Sequence, residues 1–227
     1  MSLETFLSNV DPQTTVSLRE SGPASADAFF AEFDGRPIAP RKVLTYRENS
    51  DGHQRWYYVS QFSQAPIFID LNKQEVSKKT CRFYRLGILK RETDWLRRLS
   101  GSARTPEIID RYGRVIVSNY LGEPVRQHNL PDDWELQAED ILAVLKDASC
   151  CHNDIKCDNL VVRDGRISII DFNWATPAGA PIPRNWPTQL GRQHRIDIHK
   201  FDDRRAIYAA LRSAMNNKID HSRISVA

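Results

Sequence analysis

Long apolar segments are absent from this chain of 227 residues. Its apolar runs, such as Val115 to Val117, span only a few positions, whereas a membrane-spanning helix needs about 20. The first residues also lack the basic start and the apolar core of a secretory signal. We therefore expect a cytoplasmic protein without a transmembrane segment. A membrane-proximal site and secretion as an effector both stay open.

Cysteine is scarce, and none of the 4 cysteines forms a C-x-x-C pair. Because Cys81 stands alone and the other three lack the paired spacing of zinc ligands, we expect free thiols. The 10 glycines and 12 prolines are too few for a collagen-like or low-complexity chain. A formal net charge of +3 is too small to predict a nucleic-acid partner.

The remaining composition, with 41% hydrophobic and 27% charged residues, is that of a globular protein. Apolar and β-branched runs predict an antiparallel meander, then a helix, then two more strands. Further along, a helix, a strand pair around an Asp-Gly turn and a last helix follow. The predicted strands are Lys42–Arg47, Arg55–Phe62, Ile67–Leu71, Ile108–Asp110, Arg114–Tyr120, Leu160–Val162 and Ile167–Ile170, and the predicted helices are Ala24–Phe33, Phe83–Leu99, Asp132–Ala148 and Asp202–Asn216. This order predicts the α+β class.

The helix predicted over Phe83 to Leu99 separates two kinds of side chain. Leucines and a tryptophan recur on one side at helical spacing, which predicts a buried face. The basic residues fall on the other side, which predicts a solvent-facing surface. The apolar set is Leu86, Leu89, Trp95, Leu96 and Leu99, and the basic set is Arg85, Lys90, Arg91, Arg97 and Arg98.

The sharpest chemical signal is the run His152-Asn153-Asp154-Ile155-Lys156-Cys157-Asp158-Asn159, which is followed by Ile170-Asp171-Phe172. These two segments resemble the catalytic loop, H-x-D-x-K-x-x-N, and the metal-binding strand end, D-F-G, of the protein-kinase-like superfamily. Phosphoryl transfer needs a carboxylate that accepts the proton of the attacking hydroxyl, and oxygen ligands that hold Mg²⁺ across the nucleotide phosphates. One loop and one following hairpin present all of these groups.

The resemblance implies a role for each motif residue. Asp154 is expected to be the catalytic base, and Lys156 the cation that neutralises the transferring phosphoryl group. Asn159 and Asp171 are expected to be the metal ligands, with Asp171 the principal one. His152 is expected to brace the loop. The implied cofactors are ATP and Mg²⁺.

The resemblance also covers the N-terminal half and implies a bilobal kinase-like fold. It predicts an extension over residues 1–40, a small lobe with a five-stranded antiparallel sheet over 41–121, a reduced, mainly helical large lobe over 122–216 and a flexible tail over 217–227. Glu92 is the candidate for the helix glutamate that pairs with a nucleotide-binding lysine. The backbone of Asn119, Tyr120 and Leu121 is expected to meet adenine, with Ser118 behind it.

Three departures from the family pattern concern phosphate binding. The first hairpin offers Glu48 to His53 in place of G-x-G-x-x-G, so any phosphate cradle depends on Asn, Ser and one Gly. The third strand has no V-A-I-K motif; we prefer Lys73 as the strand lysine, with Lys78 and Lys79 as alternatives. Asn173 replaces the glycine after Asp171-Phe172, and asparagine tolerates a left-handed turn there.

The acceptor is the least defined part of the prediction. No A-P-E ending follows the metal-binding motif. The sequence segments around the catalytic loop are similar to those of compact bacterial enzymes such as lipopolysaccharide and polysaccharide kinases. A basic stretch, Arg192 to Arg205, favours an anionic saccharide or another non-protein acceptor. The alternatives are a minimal protein kinase acting on a partner protein and a kinase-like pseudoenzyme that serves as a scaffold. Nucleic acid is not expected as a partner.

Overall fold

The structure of the chain is a computed structural model. It describes residues 15–19, 25–33, 42–46, 55–59, 67–71, 73–80, 87–181, 195–197 and 200–216. Within these ranges the predicted α+β class is confirmed, with strands and helices in alternating groups along the chain.

Seven strands form the largest sheet of the described chain, in the order β1-β2-β3-β4-β5-β7-β6. β1 runs parallel to β2, and every other neighbouring pair is antiparallel. The prediction of five strands is therefore wrong for this sheet. The strands are β1 (Thr15–Arg19), β2 (Lys42–Tyr46), β3 (Arg55–Val59), β4 (Ile67–Asp70), β5 (Glu75–Lys79), β6 (Ile108–Tyr112) and β7 (Val115–Asn119).

Two of the seven strands were not predicted, and each has a local reason. β5 has the sequence EVSKK, in which a single valine gives no clear apolar alternation. It forms because both of its edges are paired, with β4 on one side and β7 on the other. β1 lies in the stretch predicted as an N-terminal extension and pairs instead with β2 from Thr15↔Lys42 to Arg19↔Tyr46.

The helix α1 (Ala26–Phe33) also belongs with this sheet. Phe30 is buried, and the ammonium of Lys79 on β5 lies 5.7 Å from the centre of its ring. The hydroxyl of Tyr112 on β6 donates a hydrogen bond of 3.1 Å to Asp27 Oδ1. Residues 15–19 and 25–33 therefore contribute to the sheet unit rather than to a separate extension.

The helix α2 (Ile88–Arg98) follows the sheet strands β1 to β5 in the chain. Its apolar residues are buried at the predicted spacing, among them Leu89, Trp95 and Leu96. The predicted start of this helix at Phe83 lies outside the described residues. Arg91, predicted on the solvent side, is only partly exposed, because its guanidinium donates a hydrogen bond to the carbonyl oxygen of Asn173.

The chain divides into two compact units. Of the described residues, one unit comprises those between 15 and 89 together with 108–120, and the other comprises 90–107 and those between 121 and 216. The described chain passes between the units after Leu89, after Glu107 and again between Tyr120 and Leu121. Most of α2 belongs to the second unit, whereas the sequence predicted the whole helix in the small lobe.

Besides the α2 residues, small sheets and two further helices build the second unit. One sheet has the order β11-β10-β8, and β12 pairs with β9. The rings of Trp134 and Tyr208 meet edge to face with their centres 5.9 Å apart, joining the two helices. The elements are β8 (Glu123–Pro124), α3 (Trp134–Asp147), β9 (Cys150–Cys151), β10 (Leu160–Arg163), β11 (Arg166–Ile169), β12 (Thr176–Pro177), β13 (Arg195–Asp197), β14 (Lys200–Phe201) and α4 (Asp203–Asn216).

Gly122 is required by a close approach of two backbones. Its φ is +113°, and a Cβ atom there would lie 2.0 Å from the carbonyl oxygen of Val162 on β10. Only glycine combines this conformation with this contact. The residue thereby allows β8 to pair with β10 immediately after the chain enters the second unit.

Cys150, Cys151 and Cys157 are free thiols, as predicted, and Cys81 lies outside the described residues. Among the helices that the structure describes, none has the length and apolar character needed to span a membrane.

Candidate active site

The second unit brings the four motif residues Asp154, Lys156, Asn159 and Asp171 to one place. The loop of residues 152–159 connects β9 to β10, and Asp171 follows β11 two residues after its end. Since β10 and β11 are antiparallel neighbours, the start of β10 and the end of β11 lie side by side, with Leu160 opposite Ile169. The Ile170 N–H donates to Asn159 O at 2.9 Å, which joins the loop to the strand end.

Asp154 is the centre of the cluster, and its side chain is only 13% exposed. Lys156 Nζ lies 3.0 Å from Asp154 Oδ2. Asn159 Nδ2 donates to the same oxygen at 3.1 Å and to the backbone oxygen of Asp154 at 2.8 Å. Two donors therefore fix one carboxylate oxygen. Among the described residues, the hydrogen bonds of this carboxylate all involve Oδ2.

The charges of the cluster shift its protonation. Burial raises the pKa of Asp154, and the nearby Asp171 carboxylate raises it as well, while Lys156 opposes both effects. Burial by itself lowers the pKa of Lys156, but the carboxylates of Asp154 and Asp171 outweigh burial, so this pKa is raised. Lys156 therefore stays charged, and Asp154 binds a proton more readily than an ordinary aspartate.

His152 connects the loop to the strand that precedes Asp171. The Asp154 N–H donates to His152 Nδ1 at 3.3 Å, so Nδ1 acts as an acceptor and the ring proton is on Nε2. His152 Nε2 then donates to the carbonyl oxygen of Ile170 at 2.9 Å. The ring is fully buried and meets Phe172 edge to face with 4.8 Å between centres. These contacts suit the bracing role expected for His152.

Asp203, at the start of α4, is a site residue that the sequence reasoning missed. Its carboxylate accepts the His152 N–H at 2.6 Å and the Asn153 N–H at 3.0 Å. Burial raises the pKa of Asp203. The carboxylate thereby fixes the loop where Asn153 takes a φ of +65°. The sequence showed only an Asp-Asp pair at a helix start, a pattern that has many other uses.

The segment after β11 corrects one expectation. Asp171 itself adopts the left-handed conformation, with φ 71° and ψ 62°. Asn173 lies in a short 3₁₀ turn over Phe172–Trp174 and has no positive φ, so tolerance of a left-handed turn is not the reason for asparagine there. Its side chain is buried, and Asn173 Oδ1 accepts no hydrogen bond from the described residues.

The donor chemistry of Asn159 and Asp171 fits Mg²⁺. Both hydrogen bonds from the Asn159 amide use Nδ2, so its remaining polar atom is the oxygen Oδ1. A carboxylate and an amide oxygen are hard ligands of the kind that Mg²⁺ takes together with substrate phosphates and water. In the described chain, no three His, Cys, Asp or Glu side chains converge as a complete metal cage. The protein supplies part of a coordination shell at most.

The predicted adenine-binding residues lie where the chain leaves the first unit. Ser118 and Asn119 end β7, opposite Val76 and Glu75 of β5. The N–H of Tyr120 donates to Gln74 O at 2.7 Å, so this donor is already engaged within the first unit. Leu121 begins the second unit and is partly exposed.

The lysine preferred from the sequence does not lie on a strand. Lys73 is exposed in the turn between β4 and β5, and its N–H donates to Asp70 Oδ1 at 3.2 Å. Lys78 and Lys79 lie on β5, next to β7. Glu92 lies on α2 and is 4% exposed, so it belongs to the buried part of the helix rather than to a solvated face.

The basic stretch is only partly described, and the phosphate cradle predicted over residues 48–53 lies outside the described residues. On α4, an open depression of about 520 Å³ is lined by arginines and a tyrosine. Arg204 is bound to the Glu139 carboxylate through both terminal nitrogens, so its charge is already neutralised. The residues lining this depression are Asp202, Arg204, Arg205, Tyr208, Ala209 and Arg212.

Comparison of the chain with protein-family models and with curated proteins found no match. The functional assignment therefore depends on the geometry of the loop and strand end, and on the motif that they carry.

Proposed function

We propose that this chain is an ATP- and Mg²⁺-dependent phosphotransferase of the protein-kinase-like superfamily, which moves the γ-phosphoryl group to a hydroxyl. One observation carries the proposal. The Asp154 carboxylate is oriented by Lys156 and Asn159, and the charge of the nearby Asp171 raises its pKa. This is the arrangement that the chemistry of phosphoryl transfer requires.

Asp154 acts as the base. Its Oδ2 is held by two donors, which leaves Oδ1 to accept the proton of an acceptor hydroxyl. The raised pKa strengthens its proton affinity, and the charge of Lys156 limits the increase. An oriented base of this kind contributes about 10²- to 10⁴-fold to the rate.

Lys156 supplies positive charge beside the reacting groups. Its side chain is 51% exposed although its ammonium is bound to Asp154, so the cation faces both the carboxylate and the solvent. In the proposed reaction it offsets the charge of the transferring phosphoryl group. Asn159 and Asp171 would hold Mg²⁺, which would neutralise part of the charge of the nucleotide phosphates.

The nucleotide roles of the other residues are part of the same proposal. Ser118, Asn119, Tyr120 and Leu121 form the segment proposed to meet adenine, with the Tyr120 N–H excluded as a donor because Gln74 already accepts it. Glu92 keeps the role that the resemblance implies. The strand position expected for the nucleotide-binding lysine favours Lys78 or Lys79 over Lys73.

The proposed acceptor is a saccharide or another non-protein molecule with anionic groups. Arg205 and Arg212 support it, because both are exposed and line the depression on α4. Guanidinium groups bind carboxylate and phosphate by charge-assisted hydrogen bonds. A protein acceptor is the alternative outcome of the same experiment.

The experiment is transfer of label from γ-labelled ATP in the presence of Mg²⁺. The wild type and Asp154→Asn are incubated alone, with a fractionated saccharide and metabolite pool, and with a protein extract. We expect labelled non-protein products from the wild type and at least about 100-fold slower labelling by Asp154→Asn. Stoichiometric labelling of one protein alone would reverse the choice of acceptor. Nucleotide binding without transfer or hydrolysis would favour the scaffold function.

A further inference from the structure

Three consecutive backbone carbonyls after Asp171 each accept a hydrogen bond from a side chain. Arg91 Nη1 donates to Asn173 O at 2.8 Å. Asn153 Nδ2 donates to Trp174 O at 2.8 Å. Trp95 Nε1 donates to Ala175 O at 3.1 Å. The three side chains Arg91, Trp95 and Asn153 are called the carbonyl clamp below.

The clamp comes from two separate parts of the second unit. Arg91 and Trp95 are one helical turn apart on α2, and Asn153 belongs to the loop that carries Asp154. Asn153 Nδ2 also donates to Thr176 Oγ1 at 2.9 Å, at the start of β12. The clamp therefore ties the segment of residues 173–176 to α2 and to the candidate catalytic loop together.

Burial makes these hydrogen bonds necessary. Residues 172–176 are all buried, and a buried carbonyl without a partner is strongly unfavourable. Arg91 is partly buried as well, and burial lowers the pKa of its guanidinium. Arg91 was predicted on the basic, solvent-facing side of the helix, but it is partly buried and donates to one carbonyl oxygen.

Asp171 lies between two anchored stretches. On one side, His152 binds the carbonyl of Ile170, and on the other side, the clamp begins at Asn173. Asp171 itself has a left-handed backbone, with φ 71°, which a residue with a side chain seldom adopts. Such a conformation persists where the surrounding structure determines it from both sides.

We propose that Arg91 and Trp95 are positioning residues that hold Asp171 in its metal-binding conformation through the carbonyls of Asn173 and Ala175. The clamp thereby connects α2 to the segment that follows the metal-binding strand end. The segment is then ordered by hydrogen bonds from α2 and from the candidate catalytic loop. This inference rests on the proposed function of Asp171 as a ligand of Mg²⁺.

The test uses mild substitutions in the full chain. Trp95→Phe removes the indole donor and keeps an aromatic ring, and Arg91→Met removes the guanidinium and keeps much of the stem. Arg91→Lys keeps a charged donor and serves as the conservative variant. Lys90→Met is the matched control, because Lys90 lies on the same helix turn and its side chain is 80% exposed.

Two measurements are made on each variant. Calorimetric titration with Mg²⁺ in the presence of ATP gives the metal affinity, and titration with ATP in EDTA gives the nucleotide affinity without metal. Amide hydrogen exchange reports order in the segment, where the Ala175 N–H donates to Phe172 O at 3.2 Å. The exchange measurement needs neither metal nor activity.

We expect Trp95→Phe and Arg91→Met each to weaken Mg²⁺ binding about threefold to tenfold, as loss of one buried hydrogen bond implies. ATP binding without metal should be unchanged, exchange at residues 172–176 should be faster, and Arg91→Lys should be intermediate. Lys90→Met should match the wild type. If both clamp variants had the Mg²⁺ affinity and the amide exchange rates of the wild type, the positioning role of the clamp would be overturned.

Failure of the proposed function gives a different result. If the wild type shows no Mg²⁺-dependent nucleotide binding, the metal-positioning role is overturned together with the function of Asp171. Faster exchange in the clamp variants would then still show that the hydrogen bonds order the segment, so the two failures are distinguishable.

Discussion

Replacement of Lys156 by methionine should raise the pKa of Asp154. Lys156→Met keeps the aliphatic stem and removes the charge that lies 3.0 Å from Asp154 Oδ2. Because the Lys156 side chain is half exposed while that of Asp154 is only 13% exposed, the dielectric constant of water gives the lower limit of their interaction. Two unit charges at this distance then interact by about 1.4 kcal/mol, which corresponds to about one pKa unit.

The pKa can be measured directly by ¹³C NMR titration of the Asp154 carboxyl carbon, whose signal is identified by its loss in Asp154→Asn. Lys156→Arg is the control, since it keeps the charge and should leave the pKa close to that of the wild type. Asp171→Asn should change the pKa in the opposite direction, because it removes a like charge. The pKa of Asp154 is therefore predicted to be lowest in Asp171→Asn, intermediate in the wild type and highest in Lys156→Met.

The same shift should appear in the rate. Asp154 acts as a base only when it is ionised, so a higher pKa moves the acidic limb of the kcat/KM profile to higher pH. In Lys156→Met this limb should move up by about one pH unit. An unchanged or lowered pKa of Asp154 in Lys156→Met would refute the ion pair and the electrostatic account built on it.

Three further predictions concern other parts of the chain. Gly122→Ala should destabilise the protein by more than about 3 kcal/mol in urea unfolding, because a strained φ and a clash with Val162 O combine, whereas Gly165→Ala, with no atom near its Cβ, should cost about 1 to 2 kcal/mol. Equal losses would contradict the close approach. Asp203→Asn should cost about 1 to 3 kcal/mol, since an amide has one acceptor oxygen for two buried N–H groups, while Asp202→Asn should be nearly neutral. Among Lys73→Ala, Lys78→Ala and Lys79→Ala, we expect Lys78→Ala to weaken ATP binding most, because Lys73 lies off the strand and Lys79 lies over Phe30; a larger loss in Lys73→Ala would restore the original assignment.

Local patterns were enough to predict much of the second unit. The strands around residues 160–170 carry apolar runs on both sides of an Asp-Gly turn, and they form β10 and β11 within one residue of the predicted ends. The loop before them carries a motif whose spacing places Asp154, Lys156 and Asn159 together. Such signals lie within about twenty residues of one another, so they can be recognised in the sequence before the fold is known.

Contacts between distant residues were not predictable in this way. Arg91 sits on a basic helix face by periodicity, yet it binds the carbonyl of Asn173, 82 residues away. Asp203 resembles any helix-starting aspartate until its two loop N–H partners are seen. β5 has little intrinsic strand character, and pairing on both of its edges decides its conformation.

The central claim is that Asp154 and Asp171 have separate roles in phosphoryl transfer, and calorimetric titration with ATP and Mg²⁺ tests it most directly. Asp154→Asn should bind Mg²⁺ and ATP like the wild type, because the asparagine keeps the shape of the side chain and Asp154 is not proposed as a metal ligand. Asp171→Asn should lose the Mg²⁺-dependent part of nucleotide binding, because a neutral amide is a poorer ligand for a hard cation. An equal loss of affinity in both variants, or unchanged affinity in Asp171→Asn, would contradict the account.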